Sequence, residues 1–161
     1  MQKTAQKTAT EIWRQQVLEE HRLLNRTVAE LRDFLERPRP KVGKEGSHTW
    51  AADLSKRLAD LHDLLFRHFR FEERGGMMEE VVESHPRATG QVDNLLDEHT
   101  AILKESREIM AAALSYSEGN AGDERRLRRR LTALLDQLGE HERIENTLIM
   151  DLAYHDLGLG D

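Results

Sequence analysis

The sequence predicts an all-α fold, an up-down-up-down four-helix bundle assembled from two copies of one helical hairpin. Three observations carry this. The chain of 161 residues has three prolines and few β-branched runs, a composition that suits helices. Its apolar residues recur at alternating spacings of four and three along four long segments, which is the seam of an antiparallel bundle. Two of those segments also repeat each other at a constant shift, a sign of internal duplication. At this length the chain is expected to form a single domain, residues 1–161, large enough for one core.

The first helix is expected over about 8–36, with Val17, His21, Leu24, Val28, Leu31 and Leu35 as its inner stripe, and it stops at Pro38-Arg39-Pro40. A loop reaches to Gly46 and Ser47. The second helix is expected over about 48–74, with Leu54, Leu58, Leu61, Leu65, His68 and Glu72 inward, and it ends at Gly75-Gly76. A short helical turn from Met77 to Ser84 bridges to Pro86, with the Met77-Met78 pair as a cap over the bundle end. The third long helix, about 89–117, carries Val92, Leu95, His99, Ile102, Ser106 and Ile109. A Gly- and Asn-containing loop then leads to the last helix, about 123–155, with Leu127, Leu131, Leu134, Leu138, His141, Glu145, Leu148 and Leu152 inward. The polar start, before about Glu11, is expected to fray.

The duplication is explicit. Leu54, Leu58, Leu61, Leu65, His68 and Glu72 map, 73 positions on, to Leu127, Leu131, Leu134, Leu138, His141 and Glu145. Leu18-Glu19-Glu20-His21 similarly parallels Leu96-Asp97-Glu98-His99. Each hairpin thus contributes one histidine and then a His-x-x-x-Glu pair.

Charge and composition exclude several classes. A net charge of −6 argues against nucleic acid, which requires a basic face. The Arg125, Arg126, Arg128, Arg129 and Arg130 run reads as a solvated helix face, with Asp123, Glu124 and Asp136 nearby. The chain has no cysteine, hence no thiolate metal site, disulfide or redox dithiol. No apolar stretch approaches the ~18 residues of a membrane span, and the N-terminus lacks an apolar signal core, so a cytoplasmic location is expected.

Six polar residues interrupt the apolar stripes: His21, His68, Glu72, His99, His141 and Glu145. Without partners each would be costly to bury. His21 and His99 fall early in their helices, and His68 and His141 late in theirs, so antiparallel packing brings all six to one end of the core. Residues at i and i+4 share a helix face, so His68 with Glu72, and His141 with Glu145, can reach one metal or two adjacent ones. Four imidazoles and two carboxylates exceed the four ligands of tetrahedral zinc. They suit two metal ions, two histidines on each, spanned by Glu72 and Glu145, with positions left open for a small ligand. Donors of this kind accept iron, zinc or manganese. His62, His48, His85 and His155 lie off the stripes or at helix ends and read as ordinary polar positions, while Tyr116 and Tyr154 are candidates to line the site.

Together, Glu20-His21 with Leu24, His68-Phe69-Arg70-Phe71-Glu72-Glu73, Glu98-His99 and His141-Glu142-Arg143-Ile144-Glu145 resemble the hemerythrin-like, or HHE cation-binding, family from about Glu11 to Leu152. The resemblance implies a non-haem centre of two iron ions bridged by two carboxylates and an oxygen species. Oxygen-carrying members have a fifth histidine where this chain has Leu103, and their last pair is His-x-x-x-x-Asp rather than His141-x-x-x-Glu145. The four-His, two-Glu version is more similar to bacterial di-iron proteins linked to nitrosative stress and iron–sulphur cluster repair. The function implied is binding of oxygen, nitric oxide or peroxide in sensing or stress response. The alternatives are an enzyme acting on peroxide or nitric oxide, and iron storage or handling, though storage sites are richer in carboxylates.

Overall fold

The computed structural model describes residues 9–38 and 43–156, except for the side chains of Ala9, Thr10, Met77 and 152–156. The polar start expected to fray, the Arg39-Pro40 break, and the side chains of Leu152, Tyr154 and His155 therefore lie outside the described residues. Four long helices account for most of the rest: α1 (Ala9–Glu36), α2 (Lys44–Arg74), α4 (Thr89–Ser117) and α5 (Glu124–Asp156). Between α2 and α4 come the short α3 (Met77–Ser84) and a 3-10 turn, Pro86–Ala88.

Seven of the eight expected ends of the long helices fall within a residue of those observed, and the start of α2 does not. It begins at Lys44, so Gly46 and Ser47 are helical and not loop. Gly43 adopts φ 114°, which only glycine tolerates readily, and turns the chain directly into the helix. The first turn is then closed by Ser47 N–H donating to the Gly43 carbonyl at 3.1 Å and by Thr49 Oγ1 donating to the Glu45 carbonyl at 3.0 Å. At the other end of α2, a Cβ on Gly75 would run into the Trp13 ring, and Gly76 takes the left-handed φ of 74°. Two glycines are thus required there, one for close approach and one for conformation.

Each long helix packs against two others, α1 on α2 and α5, and α4 on α2 and α5, with α2 and α4 in closest contact. Partners run in opposite sequence order. Along α1 and α5, His21 meets Asn146 and Arg32 meets Asp136; along α2 and α4, Glu73 meets His99 and His62 meets Ser106. The duplicated stripe is buried throughout, from Leu54 and Leu127 to Glu72 and Glu145.

The core is divided. A large cluster runs from Trp50, Leu54 and Leu127 down to Leu24, Leu65, Phe69, Ile102 and Leu138. A smaller one at the opposite end gathers Val17, Val92, Leu95, Leu148 and Ile149 under Met78 and Val81 of α3, so Met78 does cap the bundle. The six polar residues lie along the helices between these two apolar masses.

The arginine run departs from a simple solvated face. Arg130 is held by both Glu105 oxygens at 2.8 and 2.9 Å and by Glu108 at 3.0 Å, which ties α5 to α4. Arg128 lies over the Trp50 ring, 4.4 Å from its centre, and donates to the Leu35 carbonyl and to Glu124. The bundle end is wide enough there to admit the aliphatic stem of an arginine, whose guanidinium satisfies a carbonyl near the end of α1.

Candidate metal centre

All six candidate ligands come together, and each is at least 98% buried. They form two overlapping groups, His21, His68, Glu72 and Glu145 on one side and His99, His141, Glu72 and Glu145 on the other. Both glutamates belong to both groups, the arrangement that two shared, bridging carboxylates require. Each helix supplies its residues for the reason legible in its stripe: they occupy seam positions where leucine stands one or two turns away.

The inward distances are short. His68 Nε2 lies 3.1 Å from Glu72 Oε1, and His141 Nε2 lies 3.0 Å from Glu145 Oε1. His21 Nε2 sits between the carboxylates, 3.4 Å from Glu72 Oε1 and 3.2 Å from Glu145 Oε2. His99 Nε2 mirrors it, at 3.4 Å from Glu72 Oε2 and 3.4 Å from Glu145 Oε1.

The outward face of each ring is also fixed. His68 Nδ1 is 2.8 Å from Glu20 Oε2, His141 Nδ1 is 2.8 Å from Glu98 Oε2, and His99 Nδ1 is 3.1 Å from Glu73 Oε1. An ionised carboxylate can only accept, so Nδ1 carries the hydrogen in these three rings. His21 Nδ1 faces Asn146 Oδ1 at 3.0 Å. Rings held this way turn Nε2 inward, where it offers a lone pair once it carries no proton, the posture of a metal-ligating histidine.

Sequence reasoning missed these four outward partners as functional positions. Each is the chain neighbour of a candidate ligand (Glu20, Glu73, Glu98 and Asn146 beside His21, Glu72, His99 and Glu145). A polar residue flanking each seam ligand was the available signal. It points to the ring of the adjacent helix rather than to its own neighbour.

The donors fit a metal on an observation of their own. His21 Nε2, His68 Nε2, His141 Nε2, both Glu72 oxygens and Glu145 Oε2 are buried with no partner in hydrogen-bonding geometry, although they lie close together. So many buried donor atoms without aligned partners would be costly in a protein that relied on hydrogen bonds alone. A cation centred among them would remove that cost. Electrostatics agree: burial works against the Glu145 carboxylate, yet contacts with His141, His21 and His99 outweigh it and hold it well below the usual range. Burial would lower the His21 pKa, but the Glu145 and Glu72 carboxylates override it and push it up to about 10. Burial likewise works against His68 and His141, yet Glu72 and Glu20 raise the first, and Glu145, Glu98 and Glu72 raise the second. The pocket demands positive charge, as protons or as metal.

The two halves are not identical. Phe69 stacks on His99 with ring centres 3.9 Å apart, and its repeat counterpart, 73 positions on, is Glu142. Glu142 is 4% exposed and one of its oxygens has no hydrogen-bond partner; burial pushes its carboxyl up against the opposing influence of His21, Asn25 and His68.

The other histidines and tyrosines stand apart. His62 is half-buried and pairs with Ser106 Oγ at 2.7 Å, outside both ligand groups. Tyr116 does not line the site. It packs edge-on against His48 at the far end of the bundle, because α4 carries it more than four turns beyond His99. Leu103 packs against the large core cluster, so the fifth-histidine position offers no ligand atom.

Among the described residues no helix is long and apolar enough to cross a membrane. Comparison with known proteins gave no match among curated proteins and none among solved structures. Residues 14–153 match the family model described as the hemerythrin HHE cation binding domain. With that match covering most of the chain and a buried His/Glu cluster at its centre, the protein belongs to the hemerythrin HHE cation-binding family.

Proposed function

We propose that this chain is an up-down-up-down four-helix bundle that holds two iron ions and binds oxygen, nitric oxide or peroxide at them. In this reading His21 and His68 ligate one ion, His99 and His141 the other, and Glu72 and Glu145 bridge both. The observation that carries it is the double orientation of the imidazoles. Outward Nδ1 contacts to Glu20, Glu73, Glu98 and Asn146 leave four Nε2 atoms converging on two shared carboxylates. Zinc or manganese would be held by the same donors.

Bound iron would supply redox chemistry and open coordination positions to a small ligand. The protein's part is to hold and to exclude. Its ligand residues are within 2% of complete burial, so an incoming ligand must be small. The apolar clusters on either side keep bulk water from the donors and strengthen electrostatic interactions inside. Glu20, Glu73 and Glu98 fix ring orientation and make the imidazoles better donors.

The test is anaerobic loading with Fe(II), followed by separate exposure to oxygen, nitric oxide and hydrogen peroxide with absorption recorded. A spectral change that reverses on removing the gas is expected. Sustained oxygen evolution from peroxide would instead favour an enzyme, and no change with any of the three would overturn the proposal.

A further inference from the structure

The two halves of the site repeat each other closely, which makes one difference informative. His68 and His141 occupy equivalent positions, and both are backed by a carboxylate from the preceding long helix, Glu20 and Glu98 respectively. His21 and His99 are also equivalent, but their backing differs. Glu73 holds His99, whereas Asn146, 73 positions on from Glu73, holds His21.

That exchange alters two properties of the ligand. A carboxylate hydrogen-bonded to Nδ1–H raises the electron density at Nε2, and a neutral amide does so much less. A carboxylate also enforces the Nδ1–H tautomer, because it cannot donate. An amide presents either its oxygen or its NH₂ group by turning over, so it accepts from Nδ1–H or donates to a bare Nδ1. In the second arrangement the hydrogen moves to Nε2 and blocks the inward lone pair. Three candidate ligands are therefore locked in the metal-binding tautomer by Glu20, Glu73 and Glu98, and His21 is not.

We infer that Asn146 makes the two metal positions unequal: the ion held by His99 and His141 is the tighter, and the ion held by His21 and His68 is the exchangeable one. The inference rests on the two-metal reading and goes beyond it by assigning Asn146 and Glu73 as the positioning residues that set the difference. Glu142 is a further polar group on the His21 side, where the other half has Phe69. One of its oxygens is buried without a hydrogen-bond partner and no ion pair joins it to His21 or His68, so it neither orients His21 nor selects its tautomer.

The experiment isolates each position. His68→Ala leaves only the His99/His141 position complete, and His141→Ala leaves only the His21/His68 position. Each metal-free variant is titrated anaerobically with Fe(II) by calorimetry, after circular dichroism shows that helicity is retained. The His68→Ala protein should bind its single ion about 10-fold or more tightly than the His141→Ala protein, the lower end of the range for an outer partner. Adding Asn146→Asp to His141→Ala should tighten that ion about 10-fold, and adding Glu73→Gln to His68→Ala should loosen the other by a similar factor. Single-ion affinities within about threefold of one another, the scatter of such contributions, would overturn the inference while leaving the metal centre standing. So would a response to Glu142→Gln in place of Asn146→Asp. Failure of the parent protein to take up any Fe(II) would strike the metal centre itself.

Discussion

Removing metal should loosen one end of this protein more than the other. The candidate ligands divide the apolar core into a large cluster around Leu54, Leu58, Leu61 and Leu131 and a small one of Val17, Met78, Val81, Val92, Leu95, Leu148 and Ile149. An ion that binds the folded chain alone stabilises it by about 2.7 kcal/mol at a hundredfold free excess over its Kd, and two ions by about 5. For a chain of this length 1 kcal/mol moves the melting temperature by roughly 2–4 °C, so stripping both ions should lower it by roughly 10–20 °C. The metal-free protein should remain helical, because the large cluster extends from Phe69 beside the site to Trp50 and Leu127 at the far end of the bundle. Hydrogen exchange should therefore accelerate in α3 and from Val92 to His99, and change little from Leu54 to Leu61. The assay is a pair of circular dichroism melts with and without chelator, metal loss verified, followed by exchange mapping. Equal melting temperatures, or protection lost evenly along α2 and α4, would refute the coupling of these residues to folding.

Other expectations follow from the same geometry. Glu72→Ala and Glu145→Ala should each cost most of the bound metal, and to a similar extent because both belong to both ligand groups, while His62→Ala leaves metal content unchanged; elemental analysis reads this directly. Leu58→Ala, at a fully buried position in the large cluster, should cost about 2–5 kcal/mol in denaturant unfolding yet leave the metal count intact; a lost metal count would show the two regions are not separable. The metal-free protein should be most stable between about pH 4.5 and 6.5. His21, raised from 6.5 to about 10, contributes stability that is complete below pH 6.5 and lost as pH climbs through 10, whereas the depressed Glu145 contributes above 4.5 and is lost on acidification. His62, lowered by burial, opposes this but is only half-buried. Metal must displace the His21 proton, so Fe(II) uptake should release protons and tighten as pH rises toward 10; chelated-protein melts that improve from pH 6.5 to 9 would contradict this sign.

Much of this was legible in the residues because the physics is one-dimensional. A seam alternating by four and three names its own inward positions, and a histidine or glutamate among leucines is conspicuous since burial makes it costly. The duplication of Leu54 through Glu72 in Leu127 through Glu145 then fixed the relative height of the two pairs. What was illegible depends on neighbours across helices. Glu20, Glu73 and Glu98 look like solvent-facing acids along their own helices, and only packing shows that each serves a ring on the next helix. Phe69 and Glu142 lie beside the stripe rather than on it, so the widened inner face that buries both was unseen. Arg128 and Arg130 read as solvated because periodicity does not register a guanidinium reaching Leu35 or Glu105. The early start of α2 turned on the positive φ of Gly43, which a Gly-rich stretch permits without specifying where it is used.

The central claim is that six buried side chains on four helices hold two ions, and counting metal tests it most directly. Protein produced with ample iron, freed of loosely bound ions by gel filtration and analysed for metals against amino-acid content, should carry about two ions per chain. The Glu72→Ala and Glu145→Ala proteins should fall well below that number. One tightly bound ion, zinc for example, with no second uptake on titration with Fe(II), would contradict the account.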